Sequence, residues 1–106
     1  MKPQSFAIVW SYKVADEHRV AFERAYGPAG DWAELFGTSQ GYLRTDLMVS
    51  DEGRYLTIDH WRSQEDFHAF QARSGADYLA LDARTEGWTL SEERLGQFMM
   101  LEEEAG

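Results

Sequence analysis

The stretch "YLRTDLMVSDEGRYLTIDHW", Tyr42–Trp61, decides how the chain folds. Two runs rich in aromatic, branched and alternating residues flank "SDEG", Ser50–Gly53, which is polar and ends in glycine. That is the chemistry of a short hairpin loop, so Tyr42–Val49 and Tyr55–Trp61 are predicted to pair antiparallel. Immediately after Trp61 the period changes. Ser63 and Asp66 make a capping-box-like start for a helix that carries Phe67 and Phe70. The hairpin therefore runs straight into a helix.

Working towards the N-terminus, Gly41 opens the hairpin's first strand, and Asp31 is placed to cap a short turn, "WAELF", closed by Gly37. Before it, Asp16 offers an N-cap for "EHRVAFERAY", whose His18, Phe22 and Tyr26 share a helical face, and Gly27-Pro28 stops that helix. "FAIVWSYKV", Phe6–Val14, is nearly continuously apolar at its start, as expected of a central strand. Towards the C-terminus, Ser74 with Asp77 repeats the capping device for a segment through Tyr78 and Leu81, ended by Glu86-Gly87. A polar loop then leads to a last strand, "LGQFMML", Leu95–Leu101, and "EEEAG" reads as a solvated tail.

The order is strand, helix, strand, strand, helix, strand: an α+β, ferredoxin-like βαββαβ arrangement with a four-stranded antiparallel sheet and helices on one face. The other face would expose Phe, Trp, Met and Leu side chains, so a homodimer through the open sheet face is expected, a dimeric α+β barrel. At 106 residues the chain is read as one domain, with its core over about 6–101 and an acidic tail at 102–106. The net charge of −9, with no lysine after Lys13, disfavours nucleic acid or an anionic membrane as partner. With no cysteine, thiolate catalysis and disulfides are excluded. The apolar run at Phe6–Trp10 is too short to span a membrane, and the location is read as cytoplasmic.

The blocks "YGPAGDWAELF", "GYLRTDLM", "GRYLTIDHWRSQEDFHAF" and "YLALDARTEG" resemble, in this order and spacing, the antibiotic biosynthesis monooxygenase family of the dimeric α+β barrel superfamily. The resemblance runs from about Phe6 to Phe98. It implies a face-to-face dimer, a pocket between sheet and helices, and oxygenation without metal, flavin or haem. It also implies that Trp61 recurs at the end of the third strand, with an acidic residue two positions earlier, here Asp59. Nine residues after that tryptophan the family often carries a functional aromatic, often His, where this chain has Phe70. The haem-degrading branch uses a further histidine, here Ala80, and an asparagine, which this chain lacks altogether. The resemblance thus disfavours haem degradation.

Alternation puts Tyr55, Thr57, Asp59 and Trp61 on one face of their strand and Leu56, Ile58 and His60 on the other, so Asp59 and His60 cannot share a pocket. A carboxylate between Thr57 and Trp61 under helices would be desolvated and its pKa raised towards that of a general base, unless Arg44 or Arg73 pairs with it. His60 is read as an interfacial histidine and His18 as a core-edge residue. His68, beside Phe67, is the second candidate base if its helix leans over the pocket. Three scattered histidines lack metal-ligand spacing. The expected site is therefore Asp59 or His68 as base, with Trp10, Thr57, Trp61, Phe70 and Tyr78 as walls. The function read from it is a cofactor-independent monooxygenase acting on an aromatic phenol, hydroquinone or anthrone-type molecule. The alternative is a non-enzymatic dimer of the same fold that binds a small ligand.

Overall fold

A computed structural model describes residues 2–102, and side chains from Ser5 to Leu101. Four strands, β1 (Lys2–Val14), β2 (Tyr42–Val49), β3 (Tyr55–Trp61) and β4 (Thr89–Glu102), form one antiparallel sheet in the order β2-β3-β1-β4. Four helices, α1 (Arg19–Tyr26), α2 (Asp31–Phe36), α3 (Gln64–Arg73) and α4 (Gly75–Thr85), fill the connections. This is the ferredoxin-like α+β arrangement that the element order implies. The hairpin forms in the expected register, with Val49 opposite Tyr55 and Thr45 opposite Asp59. Gly53 turns it with φ +82°, a conformation that side chains other than glycine's resist.

The helix starts differ from expectation in instructive ways. Ser63 caps α3 as predicted, its Oγ accepting from Asp66 N–H at 3.1 Å. Neither Asp16 nor Asp31 caps with its side chain. The chain enters α1 through a single 3-10 turn, Asp16–His18, and α2 starts from Gly30, leaving Asp31 to pair with Arg84 at 3.4 Å. Ser74 likewise makes no side-chain cap, because α3 runs into α4 there and Ser74 N–H still donates to Phe70 O at 2.9 Å.

The largest departure is β4. The expected polar loop before Leu95 is strand, and β4 pairs with β1 along nearly its whole length, from Thr89 opposite Val14 to Glu102 opposite Lys2. Thr89–Arg94 reads as loop because it is polar. An edge strand needs only a partner's backbone on one side, so pairing overrides local composition. Of the expected acidic tail, residues 103–106 lie outside the described residues.

One face of the sheet carries the core. Phe6, Ile8, Tyr12 and Val14 of β1 and Tyr55 and Trp61 of β3 pack against Phe22, Tyr26, Trp32, Phe36, Phe67, Phe70 and Leu81 of the helices. The opposite face keeps Met48, Leu95, Phe98 and Met100 exposed. His60 lies on that second face, as alternation requires. It is buried there, its Nε2 3.0 Å from Asp46 Oδ2.

Candidate functional site

Between the sheet and the helices lies a cavity of about 210 Å³, lined by residues that include Trp10, Thr57, Asp59 and Tyr78 of the expected site. Alternation along β3 explains the first half of the lining. Thr57 and Asp59 point to the helices while their neighbours Leu56, Ile58 and His60 point away. Trp10 reaches the cavity from the β1 position opposite Thr57, and Tyr78 from α4.

Asp59 makes no ion pair among the described residues, and neither suspected arginine reaches it. Arg44 is 3.5 Å from Asp46, and Arg73 donates to Ser39 Oγ. Asp59 Oδ1 instead accepts from Thr45 Oγ at 2.8 Å. Burial pushes its carboxyl pKa up to about 6, and the Thr45 hydrogen bond offsets part of that rise. A carboxylate with that value takes up and releases protons near neutrality, as a general base must.

The Thr45 contact extends into a relay. A hydroxyl has one proton, so when Thr45 donates to Asp59 its 2.8 Å contact with Tyr42 Oη must be donated by the tyrosine. The run is Tyr42 to Thr45 to Asp59. Tyr42 and Thr45 are three residues apart and should face opposite sides of a regular strand. A register shift between Tyr42 and Arg44 inserts Leu43 as a bulge and turns Tyr42 to the helix side.

The aromatic wall continues through Tyr12, Tyr26, Trp32 and Phe36, with Asp82 and Glu92 also in the lining. Thr57 Oγ donates to Tyr12 Oη at 3.4 Å, and Tyr26 Oη donates to Thr85 Oγ at 3.1 Å. Burial pushes the Tyr12 and Tyr78 phenols above their usual pKa, so both stay protonated donors, and Tyr26 is raised to about 12 for the same reason. Trp32 Nε1 is buried without a partner among the described residues.

Three expected site residues are not in this lining. Trp61 and Phe70 are both 0% exposed and belong to a closed cluster with Phe36 and Phe67, ring centroids 5.3 to 5.7 Å from Trp61. His68 is exposed on α3 with its ring 5.9 Å from that of Phe67. Phe67 and Phe70 point inward, so the helix period turns His68 outward. Thr45 could have been found in advance, since the hairpin register puts it opposite Asp59. Tyr42 could not, because the bulge that turns it inward leaves no mark in the sequence.

The sequence profile of the antibiotic biosynthesis monooxygenase family matches residues 5–77. The chain belongs to that family. The match covers β1 through the start of α4, and so every lining residue named above except Tyr78, Asp82 and Glu92. No protein with curated annotation matches the chain in sequence. Among solved structures, a Nitrosomonas europaea protein assigned to the same monooxygenase class superposes with a TM-score of 0.71 at 16% identity, covering 95% of this chain and 94% of that one. SnoaB, a cofactor-independent oxygenase from Streptomyces nogalater, gives 0.68 at 18% identity over 97% of this chain and 99% of its own. PA3566 from Pseudomonas aeruginosa gives 0.64 at 18% identity over 93% and 96%. At such identities these family likenesses establish the shared fold.

Proposed function

We propose that the protein is a cofactor-independent monooxygenase of small phenols, with Asp59 as general base. The observation that carries the reading is a carboxyl group poised near neutrality, held by one hydroxyl, in the wall of an aromatic cavity. Family membership and the likeness to SnoaB support the oxygenase chemistry. Asp59 removes the phenol proton, and the phenolate passes an electron to dioxygen. The resulting radical pair joins at a ring carbon, and the peroxide anion takes a proton from solvent and loses water to leave a quinone. The balance is phenol plus dioxygen to quinone plus water. Tyr12 and Tyr78 are the donors available to the developing oxyanion. The proton on Asp59 leaves through Thr45 and Tyr42.

Cavity size narrows the substrate. A cavity of about 150 Å³ holds one benzene ring, so about 210 Å³ favours one-ring phenols over three-ring anthrones. Trp10, Thr57 and Tyr78 are the walls of that site; Trp61 and Phe70 support it from behind. Among the described residues no histidine lines the cavity, which argues against haem as its occupant.

The same proposal includes a homodimer. The open face carries Met48, Val49 and Leu95, each about half exposed, around a groove of about 530 Å³, with Phe98 exposed beyond it. A second copy of that surface covers it best, because a two-fold interface is self-complementary. Light scattering on the eluting protein should give twice the 12.2 kDa chain mass. A cytoplasmic location belongs to the proposal too, resting on the cysteine-free sequence. Among the described residues, no helix is long and apolar enough to cross a membrane.

The decisive experiment is dioxygen uptake by metal-stripped protein against a panel of phenols and hydroquinones, with catalase present and heat-inactivated protein as background. Uptake that Asp59→Asn lowers by roughly 100-fold or more supports the reading. Uptake unchanged in Asp59→Asn removes Asp59 as base. Binding without uptake by wild type returns the protein to the ligand-binding alternative.

A further inference from the structure

The charges around the cavity say which phenols it takes. Three of its lining residues are carboxylates, Asp59, Asp82 and Glu92, and no lysine, arginine or histidine among the described residues lines it. Asp82 is half-buried on α4, and Glu92 stands at the exposed rim on β4. Glu92's carboxyl is held above its usual pKa by burial, then by Asp82 and Glu86. Arg94 acts from the same strand, where it sits opposite Trp10 and lowers the Tyr78 pKa, but it does not line the cavity. The balance at the mouth is negative.

A metal ion does not suit this arrangement, since no three His, Asp or Glu side chains among the described residues gather closely enough to hold one. The carboxylates are spread along a wall of rings that includes Trp10, Trp32 and Tyr78. Ring faces and separated carboxylates together suit an organic cation, which interacts with both at once. Trp32 is 6% exposed and stands in that wall beside Tyr26, their ring centroids 5.9 Å apart.

We propose that the cavity takes phenols bearing a protonated amine, with the ring among Trp10, Trp32 and Tyr78, the hydroxyl towards Asp59 and the ammonium at Asp82 and Glu92. The inference rests on the reading of the cavity as a phenol site. The protein's net charge of −9 further raises the local concentration of cations over anions of the same shape.

The test is calorimetric titration of the full-length protein at about pH 8 and low salt, where carboxylates are ionised and an alkylamine is protonated. The probes are tyramine, tyrosol and para-hydroxyphenylacetate, which share a phenol and differ in carrying an ammonium, an alcohol or a carboxylate. Tyramine should bind at least about tenfold more tightly than tyrosol, and para-hydroxyphenylacetate most weakly. Glu92→Gln and Asp82→Asn should each narrow the gap between tyramine and tyrosol. Tyrosol binding as tightly as tyramine would overturn the amine inference and leave the phenol site standing. A gap unchanged in both variants would overturn the assignment of the ammonium to the mouth, and with it the proposal. Failure of all three probes to bind would overturn the phenol site as well.

Discussion

The helix-covered side of the sheet has a closed end and a hollow end, and β3 runs through both. At the closed end Trp61 meets Phe36, Phe67 and Phe70, and Phe6 joins through Phe67 at 6.0 Å. At the hollow end stand Tyr12, Tyr26, Tyr78, Trp10 and Trp32, with Asp59 and Thr57 among them. Both ends are aromatic, but their ring edges differ. Phenylalanine rings close round Trp61 so completely that its buried indole N–H has no partner among the described residues, while phenol and carboxyl groups at the hollow end keep the packing open. The comparison teaches that phenol and carboxyl groups, rather than aromatic content, mark where a site can form.

Substitution at the closed end should show the largest effect. Trp61→Ala removes a fully buried indole from a close-packed cluster and should cost about 3–5 kcal/mol in urea titration. Trp10→Ala removes a half-buried indole from a wall that is already open, and should cost under about 2 kcal/mol. Equal costs would mean that the hollow end is packed in solution, and the contrast would be gone.

The hollow end should declare itself through pH. Asp59 has a folded pKa of about 6 against an ordinary value of 3.8, so the native state holds the proton more tightly than the unfolded chain. Its contribution therefore weakens the fold as pH rises from about 4 to about 6, by up to about 3 kcal/mol. Asp59→Asn should remove that slope. Stability measured against pH should show the variant equal to or above wild type at pH 8 and closer to it near pH 4, even though turnover is lost. A variant less stable than wild type at pH 8 would show that the ionised carboxylate holds the fold together instead of straining it.

How much of this was legible follows from which interactions are local. The hairpin, the α3 cap at Ser63 and the facing of Thr57 and Asp59 depend on residues a few positions apart, and the sequence states them. The N-terminal half of β4 is decided by pairing with β1, which polar composition conceals. Tyr42 joins the Asp59 relay only through a bulge, and Asp82 and Glu92 reach the cavity from elements distant in sequence. Family resemblance put Trp61 and Phe70 among the walls, and in the fold they stand behind the cavity, outside its lining. Which of several buried rings borders a hollow depends on how well all of them fill space, a property of the whole layer.

The smallest effect is expected at His68, and it separates the two candidate bases. His68 is the other side chain that the sequence offers for the role assigned to Asp59. Its position argues otherwise, because it is solvent-exposed beside Phe67 and outside the cavity lining. His68→Ala should leave oxygen uptake within about twofold of wild type and shift stability by no more than about 0.5 kcal/mol, as for other surface changes. A loss approaching that of Asp59→Asn would require α3 to swing His68 over the mouth during turnover. The proton would then leave through the histidine, and the relay through Thr45 would serve only to hold Asp59 in place.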